Sequence, residues 1–203
     1  NIAFLCSEFF NLPFKDDKAE LILVNNGSVD NTKLKIEEAI KNNSSKNITI
    51  KLINLETNKG YGGGISEGLK NAVGDYIGWA HADLQTPLMD FLKLYRLIKD
   101  KKNILGKGVR ANNRGFDRII SMLHENLSSL ILGIKMREIN AQPKIFNKEL
   151  MKYFTNMPFK WTTLDTYIMY ICLKNKIQIK TIDVVFNTRK YGESKWKNNF
   201  INF

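Results

Sequence analysis

Short apolar runs and amphipathic segments alternate along the 203-residue chain. Apolar residues at three- and four-residue spacing predict helices over residues 2–12, 30–40, 64–73, 87–99, 116–134 and 164–174. Apolar or alternating runs predict strands over residues 21–24, 48–55, 76–80, 104–109 and 177–186. Thr86 is expected to cap the helix that Pro87 opens. This alternation is typical of an α/β domain with a mainly parallel sheet.

Composition narrows the class of protein. Hydrophobic residues make up 43% and charged residues 25%, values that exclude disordered, collagen-like and coiled-coil chains. No apolar run approaches the ~18–20 residues needed to span a bilayer. Residues 1–10 lack the basic start of a secretion signal, so we expect a cytoplasmic protein. Cys6 and Cys172 lie far apart in apolar segments and are expected to be buried free thiols.

The net charge of +11 is unusual and favours polyanions, anionic lipid surfaces or phosphorylated substrates as partners. A solvated, lysine-rich surface accounts for the same charge equally well. A basic nucleic-acid-binding module fits the charge, but the sequence has no RNA-binding signature and no tight alternation of basic and aromatic residues. We therefore expect no nucleic-acid partner.

Polar residues follow three of the predicted strands, at the places where open α/β sheets bind ligands. The first stretch runs from Asn25 and Asn26 through Ser28 to Asp30, and its short side chains could bond a nucleoside or cap the next helix. The second runs from Asn58 to Gly64, and its glycines could bring backbone N–H groups to an anion or form a flexible turn.

The third stretch, residues 81–85, predicts a metal site. His81, Asp83 and Gln85 would point the same way if the chain stayed extended. An imidazole, a carboxylate and an amide oxygen suit Mg²⁺ or Mn²⁺ bridged to a diphosphate, although such a triplet also arises by chance. A separate group of cations could grip phosphate oxygens or form a solvated surface: Arg110, Arg114, Arg189, Lys190 and Lys195.

Five segments, in this order and spacing, resemble the family 2 glycosyltransferases with the GT-A fold, and within them the polyprenyl-phosphate sugar transferases. They are VNNGSVDNT (24–32), NKGYGGGISEGLKNAVGDYIGWAHADLQTP (58–87), GKGVRANNR (106–114), INAQPKIFNKEL (139–150) and RKYGESKW (189–196). The resemblance implies one domain, with a Rossmann-like nucleotide-binding part over about 1–100 and an acceptor-binding part over about 101–203. Relatives begin with a strand, so the first strand of the fold is expected to be missing from residues 1–203.

The resemblance implies an inverting transfer of a hexosyl group from a nucleoside diphosphate sugar, with Mg²⁺ or Mn²⁺ as cofactor. The acceptor would be a polyprenyl phosphate at the inner face of the membrane, or a saccharide hydroxyl in cell-envelope polysaccharide synthesis. Asn25 and Asn26 replace two aspartates, and His81 replaces the first aspartate of a D-x-D motif. A catalytically impaired nucleotide-binding relative is therefore an alternative.

The resemblance also assigns roles to individual residues. Donor contacts fall on Asn25, Asn26, Asp30, Asn58, Gly60 and His81, and on the loop that contains Arg189, Gly192, Ser194 and Lys195. Asp83 matches the metal ligand, and Gln85 lies beside it. Arg110 and Arg114 match acceptor-phosphate ligands, whereas Asp165 matches the general base of relatives with hydroxyl acceptors.

The long helix over 116–134 carries an apolar stripe and is flanked by Arg114, Arg118, Lys135 and Arg137. We expect the stripe to be part of the core. Peripheral contact with a membrane is the alternative, for which Met122 and Leu132, off the stripe, are the residues to test.

Overall fold

The computed structural model describes residues 2–42, 46–111, 115–154 and 163–187. The predicted sites Arg114, Arg189, Ser194 and Lys195 lie outside these ranges. The helices are α1 (Ile2–Phe10), α2 (Thr32–Asn42), α3 (Gly60–Asn71), α4 (Leu88–Ile98), α5 (Phe116–Leu132) and α6 (Thr163–Lys174), with a 3-10 helix over Lys148–Tyr153. The strands are β1 (Ala19–Asn26), β2 (Ile48–Leu55), β3 (Tyr76–Trp79), β4 (Ile104–Arg110), β5 (Lys144–Asn147) and β6 (Gln178–Val184).

The strands form two groups. β1 pairs in parallel with β2, and a four-stranded sheet has the order β3-β5-β4-β6. β4 and β6 are parallel, but β5 is antiparallel to both of its neighbours. β3, β4 and β6 therefore run in the same direction, and the mainly parallel sheet that the sequence predicted is confirmed. The exception is β5, a short antiparallel strand between β3 and β4 that the sequence did not predict.

A cavity of about 610 Å³ lies between the two groups of strands. Its lining includes Leu21 and Leu23 of β1, Ile77 of β3, Phe9 of α1 and Leu92 of α4. Within the described ranges, β1 has only β2 as a partner and β3 has only β5. The relatives begin with a strand that was expected to be missing from residues 1–203. Among the described residues, no strand lies between β1 and β3.

Two apolar clusters fix the frame of the site. One packs α1 against β1, α2, β2 and α4, and it contains Cys6. The other packs β3 and β5 against α6, with Phe146 edge-on to both Trp79 and Phe154, and it contains Cys172. Both cysteines are free and buried, as predicted.

The start of α4 differs from the prediction. Pro87 precedes the helix, which begins at Leu88, and Thr86 does not cap it. The backbone N–H of Leu88 instead donates to Glu8 Oε1 of α1 at 2.9 Å. A carboxylate at the N-terminal end of a helix satisfies a free N–H group and favours the helix dipole.

The apolar stripe of α5 is exposed, so the expectation that it belongs to the core is wrong. Six stripe residues are 48–80% exposed within the described part of the chain: Ile119, Ile120, Leu123, Leu127, Leu130 and Ile131. Met122 is 49% exposed, whereas Leu132 packs against the core. None of the described helices is long and apolar enough to cross a membrane.

Candidate active site

Asn25 shapes the turn that follows β1. It is buried, its Nδ2 donates to Asn54 Oδ1 at 2.7 Å, and its Oδ1 accepts from the backbone N–H of Ser28 at 3.3 Å. Gly27 has a φ of +70°, and a Cβ there would lie 2.4 Å from the backbone nitrogen of Asn58. This turn therefore packs directly on the segment that leads into α3, and it requires glycine.

Asp30 caps α2, which is the structural alternative given for it above. Its Oδ1 accepts from the backbone N–H of Thr32, the first residue of the helix, at 3.0 Å. Hydrogen bonds from Thr32 lower the pKa of this carboxyl. Ser28 and Asp30 are both exposed, and their contact with a donor nucleotide stays a prediction.

Asn26 joins the end of β1 to the start of α3. Its Nδ2 donates to the carbonyl of Gly60 at 2.8 Å, and its Oδ1 accepts from the backbone N–H of Lys59 at 2.9 Å. Asn58 Oδ1 accepts from the N–H of Gly60 at 2.8 Å. The structure thus brings together three predicted donor-binding residues, Asn26, Asn58 and Gly60.

The glycine-rich run is the beginning of α3, whereas the sequence predicted a helix only from Gly64. A Cβ on Gly64 would lie 3.1 Å from Asn26 Nδ2. Glycine at this position lets α3 pack closely on the carboxyl end of β1. The positive end of the helix dipole consequently adjoins the turn built by Asn26 and Asn58.

Residues 81–85 form a turn rather than an extended strand. Leu84 has a φ of +60°, and Asp83 Oδ1 accepts from the backbone N–H of Gln85 at 3.2 Å. The condition under which strand alternation would align His81, Asp83 and Gln85 is therefore not met, and their role as metal ligands stays a prediction. His81 stacks instead on the ring of Tyr61, with 5.6 Å between centroids and 29° between planes, which places it beside the start of α3.

Gln85 is tied to the segment that follows β6. The N–H of Asn187 donates to the carbonyl of Gln85 at 2.8 Å, and Gln85 Nε2 donates to the carbonyl of Asn187 at 3.0 Å. The predicted loop with Arg189 lies outside the described residues.

Arg110 is the last residue of β4 and lies at the same edge of the sheet as the carboxyl end of β3. Its guanidinium lies over the ring of Phe186 at 5.9 Å, and Nε donates to Glu138 Oε2 at 2.9 Å. Its Nη2 is buried and has no hydrogen-bond partner among the described residues. A buried guanidinium donor without an acceptor is suited to an anionic ligand.

A buried polar cluster surrounds the hydroxyl of Tyr61. Of its members, the sequence analysis predicted only Asp165 as a site residue. Lys144 is ion-paired with Asp165, and Tyr61 Oη donates to Asp165 Oδ2 at 2.9 Å. Gln142 Nε2 donates to Tyr61 Oη at 2.8 Å. Burial lowers the pKa of Lys144, and burial together with the Asp165 carboxylate raises the pKa of Tyr61. Sequence spacing gives no signal for this cluster, because its members lie on three separate segments, around residues 61, 142–144 and 165.

The carboxylate of Asp165 is 2% exposed and already engaged by Lys144 and Tyr61. This arrangement differs from that of a general base free to accept a proton from an acceptor hydroxyl. The general-base role of Asp165 stays a prediction.

The metal prediction depends on few protein ligands. No group of three His, Cys, Asp or Glu side chains that could hold a metal occurs among the described residues. Magnesium in nucleotide sites commonly takes one or two carboxylates and completes its shell with phosphate oxygens and water. Asp83 can supply one such carboxylate, so the residues fit a metal that arrives with a diphosphate.

Comparison with known proteins agrees with the resemblance. The model of Glycosyl transferase family 2 matches residues 5–168. The chain belongs to this family. Its sequence is 28% identical to a dolichyl-phosphate beta-glucosyltransferase of Dictyostelium discoideum, over 93% of this chain and 61% of that protein. It is 26% identical to an undecaprenyl-phosphate 4-deoxy-4-formamido-L-arabinose transferase of Proteus mirabilis, over 89% and 54%.

Solved structures establish the fold of this family 2 member. A mannosyltransferase from Pyrobaculum calidifontis, in complex with GDP-Man and Mn²⁺, superimposes with a TM-score of 0.69 at 17% identity, covering 97% of this chain and 55% of that one. Glucosyl-3-phosphoglycerate synthase from Mycobacterium tuberculosis gives 0.62 at 16% identity, covering 98% and 69%. The predicted GT-A fold is confirmed. The chain spans little more than half the length of the two curated relatives named above.

Proposed function

We propose that this protein transfers a hexosyl group, with inversion, from a nucleoside diphosphate sugar to a polyprenyl phosphate at the inner face of a membrane. One observation carries the choice of acceptor. The curated relatives are named for different sugars, yet each name contains a polyprenyl phosphate, either dolichyl or undecaprenyl. We therefore assign the acceptor class and leave the sugar open.

The contacts at the carboxyl ends of β1 and β3 support the donor site. The nucleoside would lie against the turn of Asn26, Asn58 and Gly60, and the diphosphate beside His81 and Asp83. These two parts adjoin through Tyr61, which follows Gly60 and stacks on His81. A divalent metal held by Asp83 would stabilise the negative charge that develops on the departing diphosphate.

The burial of Asp165 supports a phosphate acceptor over a hydroxyl acceptor. A hydroxyl must lose its proton to a base during transfer, whereas a phosphate is already an anion at neutral pH. The carboxylate of Asp165 is engaged by Lys144. Arg110, with its buried and unpaired Nη2, is the described residue best suited to bind the acceptor phosphate, and Arg114 is its predicted companion.

The exposed face of α5 supports contact with an anionic membrane surface. Its apolar stripe is accompanied by exposed cations, Arg118 near the first turn and Lys135 and Arg137 just after the helix. Amphipathic helices with basic flanks lie in the interface of anionic bilayers. Such contact would bring a lipid-linked phosphate to the domain without a membrane-spanning helix in the described part of the chain.

The test is a transfer assay with the purified protein. Radiolabelled nucleoside diphosphate sugars are offered one at a time to a short polyprenyl phosphate, with Mg²⁺, Mn²⁺ or EDTA. We expect label in the organic phase with at least one donor and its loss with EDTA. The anomeric configuration of the product, measured by NMR, should be opposite to that of the donor.

Two outcomes would contradict the proposal. Transfer only to a saccharide hydroxyl would move the protein to the alternative acceptor class. Nucleotide binding without transfer from any donor would favour the impaired relative, to which Asn25, Asn26 and His81 point.

A further inference from the structure

Tyr61 connects the two parts of the candidate donor site. Its backbone lies in the first turn of α3, directly after Gly60, whose carbonyl and N–H are held by Asn26 and Asn58. Its ring stacks on His81. Its hydroxyl reaches into the buried cluster of Lys144, Asp165 and Gln142. We call residues 81–85 the diphosphate loop, and the turn of Asn26, Asn58 and Gly60 the nucleoside turn. Tyr61 thus contacts the diphosphate loop through its side chain, and its backbone directly follows the nucleoside turn.

We propose that Tyr61 is a positioning residue that fixes His81 relative to the nucleoside turn. Its anchor is the side-chain oxygen of Asp165 that accepts from the Tyr61 hydroxyl, and Lys144 balances the buried charge of that carboxylate. The proposal rests on the proposed function for its catalytic meaning, but its structural content can be tested separately. It gives Asp165 a role that needs no proton transfer to or from the substrate.

The hydroxyl group defines where the ring lies. It donates to Asp165 Oδ2 at 2.9 Å and accepts from Gln142 Nε2 at 2.8 Å. A phenol has one proton to donate, so both bonds together allow one arrangement of the group. Rotating the ring away from His81 would leave the carboxylate and amide of two buried residues, Asp165 and Gln142, with fewer partners.

The anchor itself is held from four elements. Lys144 is fully buried at the start of β5, pairs in register with Trp79 of β3, and donates also to the carbonyl of Ala141 at 3.0 Å. Asp165 lies in the first turn of α6, and Tyr61 in that of α3. Lys144 is paired in register with Trp79, and His81 follows Trp79 by two residues. The ion pair of Lys144 and Asp165 is therefore close to the diphosphate loop along β3.

The competing explanation is that the cluster only stabilises the fold. Histidine NMR separates the two, because the chain contains only two histidines, His81 and His124. His124 lies on α5 and serves as an internal reference. The ring signal of His81 reports its stacking on Tyr61, whereas a general loss of structure would move both signals.

The decisive variant is Tyr61→Phe, which keeps the ring and removes the hydroxyl. We expect a shift or broadening of the His81 signal alone and a loss of about 10- to 100-fold in kcat, the range that small misplacements of reacting groups produce. Tyr76→Phe is the matched control, since its hydroxyl also accepts a hydrogen bond, from the N–H of Asp100 at 2.8 Å, but at the opposite end of β3. It should change neither the His81 signal nor kcat.

A double variant tests the anchor. Asp165→Asn alone leaves Lys144 buried without a counter-charge and should lower thermal stability. Asp165→Asn combined with Lys144→Met removes both charges but keeps an oxygen that accepts from Tyr61. We expect this double variant to recover stability and the wild-type His81 signal.

An unchanged His81 signal in Tyr61→Phe would overturn the proposal, whatever happens to activity, and so would equal changes at His81 and His124. If the wild-type protein transfers no sugar, the proposed function fails, but the NMR comparison still decides whether Tyr61 positions His81.

Discussion

Replacing Leu130 and Ile131 with glutamine is expected to release the protein from anionic membranes. These two side chains are 80% and 72% exposed at the C-terminal end of α5. Glutamine is a good helix former, so the helix should persist while its apolar face is interrupted. The change therefore addresses the surface of α5 and leaves the core untouched.

The expected loss follows from the exposed fractions. Moving a fully exposed leucine or isoleucine out of water contributes about 1.5–3 kcal/mol. Scaled by the fractions that are free to be buried, the two residues together contribute about 2.3–4.6 kcal/mol. Because each 1.4 kcal/mol is a factor of ten, membrane affinity should fall about 40- to 2,000-fold.

The assay is flotation with vesicles of neutral lipid alone or with added anionic lipid, over a range of salt concentrations. The double variant should lose binding to both. Arg118→Gln with Lys135→Gln should lose binding only to anionic vesicles at low salt, since each cation near such a surface contributes about 1 kcal/mol.

Leu34→Gln with Val73→Gln is the matched control, because these residues are 62% and 69% exposed but lie away from α5. An equal loss in this control would refute the assignment of the membrane surface to α5. A second pair of results would also refute it: wild-type protein that does not bind vesicles, and a wild-type dimer, seen by light scattering, that dissociates in the α5 variant.

Three further predictions follow from single contacts. Asp83→Asn should weaken Mg²⁺-dependent binding of a nucleoside diphosphate by at least about tenfold in calorimetry, because an amide is a poorer ligand than a carboxylate. Burial, reinforced by the charge of Lys144, lowers the pKa of Lys107 from 10.5 to about 7, so the free energy of unfolding should rise between pH 7 and 10.5. Lys107→Met should reduce that slope, by at most about 1.4 kcal/mol per pH unit, in urea titrations. Glu8→Ala should cost about 0.5–2 kcal/mol, seen as a lower melting temperature, because it removes the acceptor for the N–H of Leu88.

Each of these has a control and a contradicting result. Asp117→Asn, on exposed α5, should leave nucleotide binding unchanged; equal losses in both variants would count against Asp83. Lys107 is deprotonated more readily in the folded state, so equal pH slopes for wild type and Lys107→Met would disprove its lowered pKa. Glu8→Gln keeps an acceptor oxygen and should retain most of the stability.

Periodicity predicted the main elements because apolar spacing is a local property. Residues 48–55 alternate and form β2, and the predicted long helix is α5. The four residues of β5 were missed, since the strand is short and starts with a lysine that only its tertiary neighbours make tolerable. The same limit explains why the stripe of α5 was wrongly expected in the core. Spacing shows which residues share a face of a helix, but not what covers that face.

The candidate site was predictable only as a set of chain positions. The order of strands and polar turns places Asn26, Asn58 and His81 at the carboxyl ends of the sheet, and the structure brings them together around Tyr61. The partners could not be read from spacing, because the decisive contacts join distant segments. Glu8 reaches Leu88 across 80 positions, and Tyr61 reaches Asp165 across 104.

The two buried lysines show why a charge count is a poor guide to this site. Lys107 and Lys144 lie opposite each other on β4 and β5, and both contribute to the formal charge of +11. Lys144 keeps a counter-charge in Asp165, whereas Lys107 donates to two carbonyls, of Arg137 and Glu138 at 2.8 and 2.6 Å. Two donors are what a neutral amine has, so deprotonated Lys107 leaves both carbonyls satisfied. Since its pKa is about 7, part of the formal charge is absent at neutral pH. Among the described residues, the cation that we propose for the acceptor phosphate is therefore Arg110, whose Nη2 is buried without a partner there, and not Lys107.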